Sequence, residues 1–385
     1  MTPVVAAMNA FGFDLYGVAR RDAKNLGLSP FSVATALHMI LLGARGDTAS
    51  ELRRALHAAA SPDARELGAL LSPPGPAQVD AGGLHVANRL FLERSYALEA
   101  SYVDEADARF AAGVDLCDFV TSPEPSRERI NAWVSDRTKA QIRSLIPGGG
   151  VTSATRLVLV NAVHFKAPWK HPFPPDGTIA GPFRCSPTDV REVPMMVTCA
   201  TLPFAHTDGV TVLELPYAGG RWAMTLVVPD VHFGLAAVEA ALTPERLAGW
   251  VRRSAPKSLM LAMPRFEIDA PGPLQLVPLL AELGVRDAFD RERADLGGIA
   301  SPRSTAEPLV VSDIIHKAVV RVDEEGTVAA AATATRAPAI GMSGEAAEFF
   351  GVDHPFLFLV RDVKSSVILF MGRVAEPAAP CWTSR

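Results

Sequence analysis

The chain has 385 residues, is 49% hydrophobic, and carries 37 Lys and Arg against 42 Asp and Glu, a formal net charge of −5. That is ample length for a large core. The mild charge, with no Lys/Arg run, speaks against a nucleic-acid-binding protein, and the short, interrupted apolar runs speak against a transmembrane helix. Four scattered cysteines, Cys117, Cys185, Cys199 and Cys381, lack C-x-x-C spacing. A zinc or redox motif is therefore not expected, while a Cys185–Cys199 bridge stays open.

In chain order, Met8, Phe11 and Leu15 recur at helical spacing. The segment Met1–Asn9 lacks a basic start and a long apolar stretch, so it does not read as a secretory signal as it stands, and the compartment stays unread. Ser29-Pro30 is an N-cap followed by proline at the first helical position, ahead of an apolar run from Val33 to Leu42. Thr48-Ala49-Ser50-Glu51 reads as a capping box that opens the next helix. After a Pro/Gly-rich break at Ser72–Pro76, Val86–Leu92 reads as a strand. Ser126–Leu145 reads as a helix with Ile130, Trp133, Val134, Ile142 and Leu145 on one face, ended by Pro147-Gly148-Gly149-Gly150.

The middle of the chain is richer in strands. Leu157–Phe165 is almost continuously apolar, as for a strand covered on both faces; Asn161 and His164 inside it need partners if buried. Val210–Tyr217 and Trp222–Val228 form a predicted hairpin around Ala218-Gly219-Gly220. Leu235–Ala241 reads as a short helix, and Thr243-Pro244 caps a second one through Arg252. Gln275–Leu283 is a further helix, and Leu259–Ile268, Ile314–Val322 and Val367–Val374 are further strands. No repeat and no long linker divides the chain, so the reading is α+β in one domain, residues 1–385.

One stretch stands apart. After Val319, Val320 and Val322 the chain runs Asp323-Glu324-Glu325-Gly326-Thr327-Val328-Ala329-Ala330-Ala331-Ala332-Thr333-Ala334-Thr335, with no proline until Pro338 and no charge from Gly326 until Arg336. Small and β-branched residues make a plausible exposed loop, yet nothing in them forbids β pairing. Thr327, Ala329, Ala331, Thr333 and Thr335 would face one way, and Val328, Ala330, Ala332 and Ala334 the other. The chain resumes with Phe350-Gly351-Val352-Asp353-His354-Pro355-Phe356-Leu357-Phe358-Leu359-Val360.

This order resembles the reactive loop and C-terminal signature of the serpins, a family of suicide protease inhibitors. Other segments carry the resemblance in sequence: Asn25–Ser32, Asn88-Arg89-Leu90-Phe91, Ile130–Val134 with Thr138–Ile142, Leu159–Trp169, His316-Lys317-Ala318 and Phe370-Met371-Gly372-Arg373-Val374. The resemblance implies three β-sheets, about nine helices and an exposed reactive-centre loop over about 324–350. It implies that a target protease attacks the loop and forms an acyl-enzyme. The cleaved loop then enters the central sheet as a new strand. The hinge residues are Glu324, Gly326, Thr327, Ala329, Ala330, Ala331 and Ala332. Sheet opening falls to Ser29, Ser32, Asn161, Trp169 and His316, with Lys166 beside Trp169, and Glu324 at the top of the strand could pair with a nearby lysine that the sequence does not single out. A lone histidine is ordinarily just a satisfied buried one; here it also sits where opening is controlled, and protonating it is expected to ease strand separation, with a pH-dependent insertion rate across about pH 5 to 8.

The scissile bond is ambiguous. Counting seventeen positions from Glu324, as in the family, gives Ile340 before the bond and Gly341 after it; counting back from Pro355 gives Gly344. Met342-Ser343, between them, is a pair much like that of some elastase inhibitors. Arg336 is the trypsin-like candidate, but cleavage there leaves a short inserting segment. The expected targets are elastase-, subtilisin- or chymotrypsin-like serine proteases, with cysteine proteases a further class. The alternative is a non-inhibitory serpin acting as chaperone or ligand carrier, which the Ala-rich hinge disfavours. An enzyme is not expected: G-x-S-x-G, H-E-x-x-H and P-loop patterns are missing. No cofactor, metal, nucleic acid or membrane is implied. The protein is expected to be a monomer, with loop–sheet polymers as a liability. Ala-, Arg- and Pro-rich usage gives a bacterial impression.

Overall fold

The structure is a computed structural model that describes residues 1–21, 24–58, 83–110, 113–269, 272–302, 307–327 and 347–377. Among these residues there are eight α-helices and three β-sheets. The sequence-predicted break at Ser72–Pro76 lies outside them.

The helices are α1 (Pro3–Ala19), α2 (Pro30–Gly43), α3 (Gly46–Ala55), α4 (Ala100–Phe110), α5 (Pro123–Arg137), α6 (Leu235–Ala240), α7 (Pro244–Arg253) and α8 (Leu276–Glu282). Thr2, Ser29 and Thr243 each cap a helix, accepting from the backbone N–H three residues on, with proline just inside. Thr48 does not cap α3. The helix begins two residues earlier, after Arg45, and Thr48 lies buried within it, accepting from the Asp295 N–H at 3.0 Å. Glu51 is drawn away too, accepting from the Arg286 and Asp287 N–H groups. Distant backbone donors outcompete the local box.

The helix predicted to run to Leu145 ends at Arg137, because Lys139 and Ala140 adopt left-handed backbone angles. Thr138 then accepts from the Ile142 N–H, and Asn131 from those of Leu145 and Ile146, so the apolar residues reach the core without continuing the helix.

The central sheet has the order β11 (Phe266–Ile268), β14 (Asp313–Val322), β15 (Gly326–Thr327), β5 (Leu157–Pro168), β2 (Gly83–Glu93) and β4 (Val114–Cys117), with β12 (Leu274–Gln275) also on β14. The largest sheet runs β1 (Leu26–Leu28), β18 (Ile368–Val374), β17 (Phe356–Asp362), β9 (Trp222–Pro229), β8 (Val210–Pro216), β7 (Asp189–Thr207), β10 (Ala255–Pro264) and β16 (Glu348–Gly351), with β6 (Ile179–Ser186) on β7. β3 (Tyr96–Leu98) and β13 (Ala300–Pro302) form the third.

β5 is buried on both faces, as its unbroken apolarity predicts. Leu157, Leu159, Val163 and Phe165 enter the main core with α2, while Val158, Val160 and Ala162 meet Ile130 and Val134 of α5. β14 alternates in the same way, with Ile314, Ala318 and Val320 facing the main core and Ile315 and Val319 facing α5. α2 is buried from Pro30 to Leu41, as a helix without a polar face must be, and lies between the two large sheets. The thiols of Cys185 and Cys199 are both free, so the bridge left open by the sequence is not formed.

β18 and β1 approach so closely that a Cβ on Gly372 would stand 2.1 Å from the Leu26 carbonyl oxygen and 2.6 Å from the Phe358 ring. Gly372→Ala is therefore expected to lower unfolding stability by about 1–3 kcal/mol through overpacking, read from denaturant titration.

Candidate functional site

β5 and β14 pair directly and in parallel only from Val158 to His164 against Asp313 to Val319. Above that point β15 occupies the space between them. After Val322 the chain reverses: Asp323 accepts from the Glu325 and Gly326 N–H groups at 3.0 and 3.1 Å, and the Asp323 N–H donates to the Gly326 carbonyl. Burial pushes the Asp323 carboxyl up. The returning residues pair on both sides, Thr327 with Val322 and with Ala167, and Gly326 with Pro168. The two residues expected to begin the hinge thus already lie in the central sheet.

Gly326 is dictated by space. A Cβ there would meet the Ala167 carbonyl oxygen at 2.2 Å. Thr327 is fully buried and its hydroxyl lies 2.6 Å from the Tyr217 hydroxyl. The Trp169 ring stacks on Tyr217, with centroids 4.5 Å apart, and its indole N–H donates to the Asp323 carbonyl at 2.9 Å. Trp169 and Phe173 backbone N–H groups also hold the turn, donating to the Glu325 and Glu324 carbonyls at 2.8 Å. Lys166, just below on β5, is half-buried.

The sequence suggested a lysine partner for Glu324. The partner is Arg265, at 2.5 Å, with the Thr178 hydroxyl donating to the same oxygen at 2.5 Å. Burial raises the Glu324 carboxyl, but these donors outweigh it and hold it below the usual range.

Lower down, the chain positions a buried polar network under the β5–β14 ladder. His316 and Asn161 are register partners on the face toward α2. The Ser29 N–H donates to His316 Nε2 at 3.1 Å, so the neutral ring carries its proton on Nδ1, which donates to Asn161 Oδ1. Asn161 Nδ2 in turn donates to Ser32 Oγ at 2.5 Å and to Asn88 Oδ1. The Ser29 hydroxyl donates to the Leu369 carbonyl at 2.5 Å. The network ties both strands to α2, β2 and β18.

Ser29, Ser32, Asn161 and His316 are brought together as expected, and Trp169, Glu324, Gly326 and Thr327 form a second group at the top of the same two strands. Ala329, Ala330, Ala331, Ala332, Arg336, Ile340, Gly341, Met342, Ser343 and Gly344 lie outside the described residues. Thr178 and Arg265 escaped the sequence reading, and Asn88 and Tyr217 were read only as strand residues; a tyrosine closing a strand before Gly219-Gly220 was the one local signal among them. His164, also expected to need partners, has none on either ring nitrogen among the described residues and stacks on His85 at 5.7 Å.

Burial pushes His316 from 6.5 down to about 4. The closed network therefore binds the neutral ring, while a ring released by strand separation titrates near its ordinary value. Closure is fully supported above pH 6.5 and loses support as pH falls toward about 4, which places the window lower than pH 5 to 8. The rate of any step that exposes His316 is expected to be flat above that window and to rise within it by up to about tenfold per pH unit. Burial also lowers His38 and His164 to about 4, so the reading is the difference between the native chain and His316→Gln. A slope unchanged in the variant would exclude His316 as the sensor.

The profile of the family described as Serpin (serine protease inhibitor) matches residues 6–377. A leukocyte elastase inhibitor of Bos taurus is 38% identical, with 98% of this chain and all of that protein covered, and human Serpin B9 is 35% identical, with 96% and 98% covered. The crystal structure of uncleaved ovalbumin superposes with a TM-score of 0.88 at 27% identity, covering 98% of this chain and all of that one. The bovine and human relatives are eukaryotic and give the bacterial impression no support. The jointed sheet, the network beneath it and the match along nearly the whole length place this chain in the serpin family of serine protease inhibitors.

Proposed function

We propose that the chain acts as a single-domain suicide inhibitor of serine proteases with an apolar specificity pocket. The observation that carries this is Thr327, fully buried and paired on both sides between β5 and β14. The relative named leukocyte elastase inhibitor supports elastase as the first protease to test. Ile340-Gly341 is the leading scissile bond and Met342-Ser343 the second. Either side chain suits an apolar pocket, which separates similar residues by only a few kcal/mol. Cysteine proteases remain a secondary target class for assay. The inhibitor acts as a monomer.

In this reading, cleavage frees the segment after Thr327 to continue between β5 and β14. The register already set at Thr327 fixes the place of each later residue. Ala329 comes between Phe165 and Val320, Ala331 between Val163 and Ala318, and Thr333 between Asn161 and His316. Since Thr327 points into the main core, Ala329, Ala331, Thr333 and Thr335 do so too. Small side chains fit a face already filled by Phe165 and Val163. Thr333 brings a hydroxyl to the two residues whose mutual hydrogen bond the new strand must separate, so buried polar groups stay partnered.

Insertion exchanges one parallel ladder for two antiparallel ones. Seven register pairs between β5 and β14 must part. Each net hydrogen bond gained is worth about 1 kcal/mol, and the new strand makes bonds on both of its edges. The acyl-enzyme formed by the protease's own nucleophile is then carried across the molecule before it hydrolyses.

The same register delivers Arg336 opposite Asp313 at the foot of β14. Burial pushes the Asp313 carboxyl up, and the Gln275 side-chain amide lies beside it; because a carboxylate only accepts, we assign the amide nitrogen, not the oxygen, to that side, 2.8 and 2.9 Å from the two oxygens. A guanidinium arriving there meets a half-buried carboxylate. Asp313→Asn is expected to leave complex formation intact and to lower the stability of the cleaved form more than that of the intact form, by about 1 kcal/mol. Equal effects on both forms, measured by denaturant titration, would remove this pairing.

The deciding experiment is incubation with elastase, read by denaturing gel, for the native chain and Thr327→Arg. The native chain is expected to give a denaturant-stable complex. Thr327→Arg forces a charge into the space beside Tyr217 and is expected to be cleaved without trapping, since burying an unpaired charge costs several kcal/mol. A variant that still traps elastase defeats the insertion account.

A further inference from the structure

Two turns far apart in sequence meet at the end of the largest sheet. One follows β9 and carries His232; the other joins β16 to β17 and carries Asp353 and His354. His354 is 6% exposed, Asp353 half-buried and His232 exposed.

His354 Nε2 lies 2.7 Å from the Pro229 carbonyl oxygen. A carbonyl only accepts, so Nε2 carries the proton and donates. That leaves Nδ1 facing Asp353 Oδ1, 2.8 Å away. The space between Nδ1 and Oδ1 can be filled by a proton, which makes a plain ion pair, or by a metal ion bound to both lone pairs. His232 supplies a third donor: its ring centroid is 4.9 Å from that of His354, and one ligand atom from each of the three residues lies within 4.8 Å of the others.

We propose that His232, Asp353 and His354 form a binding site for a divalent cation of the zinc class. Two imidazoles and a carboxylate suit zinc better than calcium or magnesium, which take oxygen ligands. Zinc–ligand bonds of about 2.0–2.2 Å put tetrahedral ligands about 3.4 Å apart. His354 and Asp353 need only separate slightly, and the exposed His232 swings inward, leaving the fourth position to water. The outer contacts are also in place. The Pro229 carbonyl fixes the tautomer of His354, and Arg184 holds the other oxygen of Asp353 while its backbone N–H donates to the Asp353 carbonyl at 2.7 Å.

The position gives the site a consequence. β16 is a four-residue edge strand paired, among the described residues, with β10 alone, and it takes up the chain after residues 328–346. A metal on Asp353, His354 and His232 ties the exit of that strand to the end of β9.

The test uses the full chain, stripped with a chelator and titrated with zinc chloride by calorimetry, then with cobalt by absorption. One-to-one saturable zinc binding is expected, weakened more than about tenfold in His232→Ala, whose exposed position spares the fold. The cobalt spectrum is expected to lack thiolate charge-transfer bands. No saturable binding would leave a shared proton as the occupant and overturn the proposal. Unchanged affinity in His232→Ala, or a thiolate spectrum placing the metal on the cysteines, would overturn it as well. No protease is involved, so the outcome is independent of the inhibitory reading.

Discussion

Everything distinctive about this molecule depends on an incomplete ladder. β5 and β14 are neighbours for seven residues and then diverge around Gly326 and Thr327. A sheet normally gains by completing its hydrogen bonds. In the proposed inhibition, the strand that completes it begins at the reversal at Asp323 and continues from Thr327. Gly326 lets the backbone come close enough to pair, and the Thr327 hydroxyl finds Tyr217 in an otherwise apolar space. The joint is closed by specific bonds rather than by bulk packing alone. A buried polar joint is well suited to opening: each bond is modest in net terms, and incoming hydroxyls and amides can replace it.

Two polar groups lie along these strands. Glu324, Arg265, Thr178, Trp169 and Tyr217 surround the upper end, where β15 is seated. His316, Asn161, Asn88, Ser32 and Ser29 hold the middle, over a helix that is buried on all sides. The middle group is the only place along the paired stretch where an apolar strand face gives way to hydrogen-bonding side chains from both strands. In the proposed insertion, parting the strands there would expose groups that Thr333 could satisfy again, while Ala329 and Ala331 would add little volume beside Phe165 and Val163.

Much of this was legible in the sequence because it is written in periodicity. The doubly buried β5, the Ser29-Pro30 and Thr243-Pro244 caps and the Gly219-Gly220 hairpin are local patterns, and each formed as read. Ser29, Ser32, Asn161 and His316 became a group through resemblance, not periodicity, since nothing local links residue 29 to residue 316. Where reading failed, a distant partner had won. Thr48 and Glu51 look like a box until Asp295, Arg286 and Asp287 arrive from the far side of the chain. Arg265 answers Glu324 across 59 positions, where a lysine was expected. The end of α5 was missed because Lys139 and Ala140 carry no sequence mark of left-handed backbone.

Inhibition by insertion requires that the intact chain is not at its most stable arrangement and that one cut in the segment after Thr327 lets it reach that arrangement. The direct measurement is thermal unfolding before and after a single cleavage within residues 328–346, with both fragments kept together. If the segment completes the ladder between β5 and β14, the midpoint is expected to rise by roughly 10 °C, given on the order of ten net hydrogen bonds at about 1 kcal/mol each and about 1 °C per kcal/mol for a chain of this size. A midpoint that stays level or falls would mean that the cut segment remains outside the sheet, and would contradict the central claim.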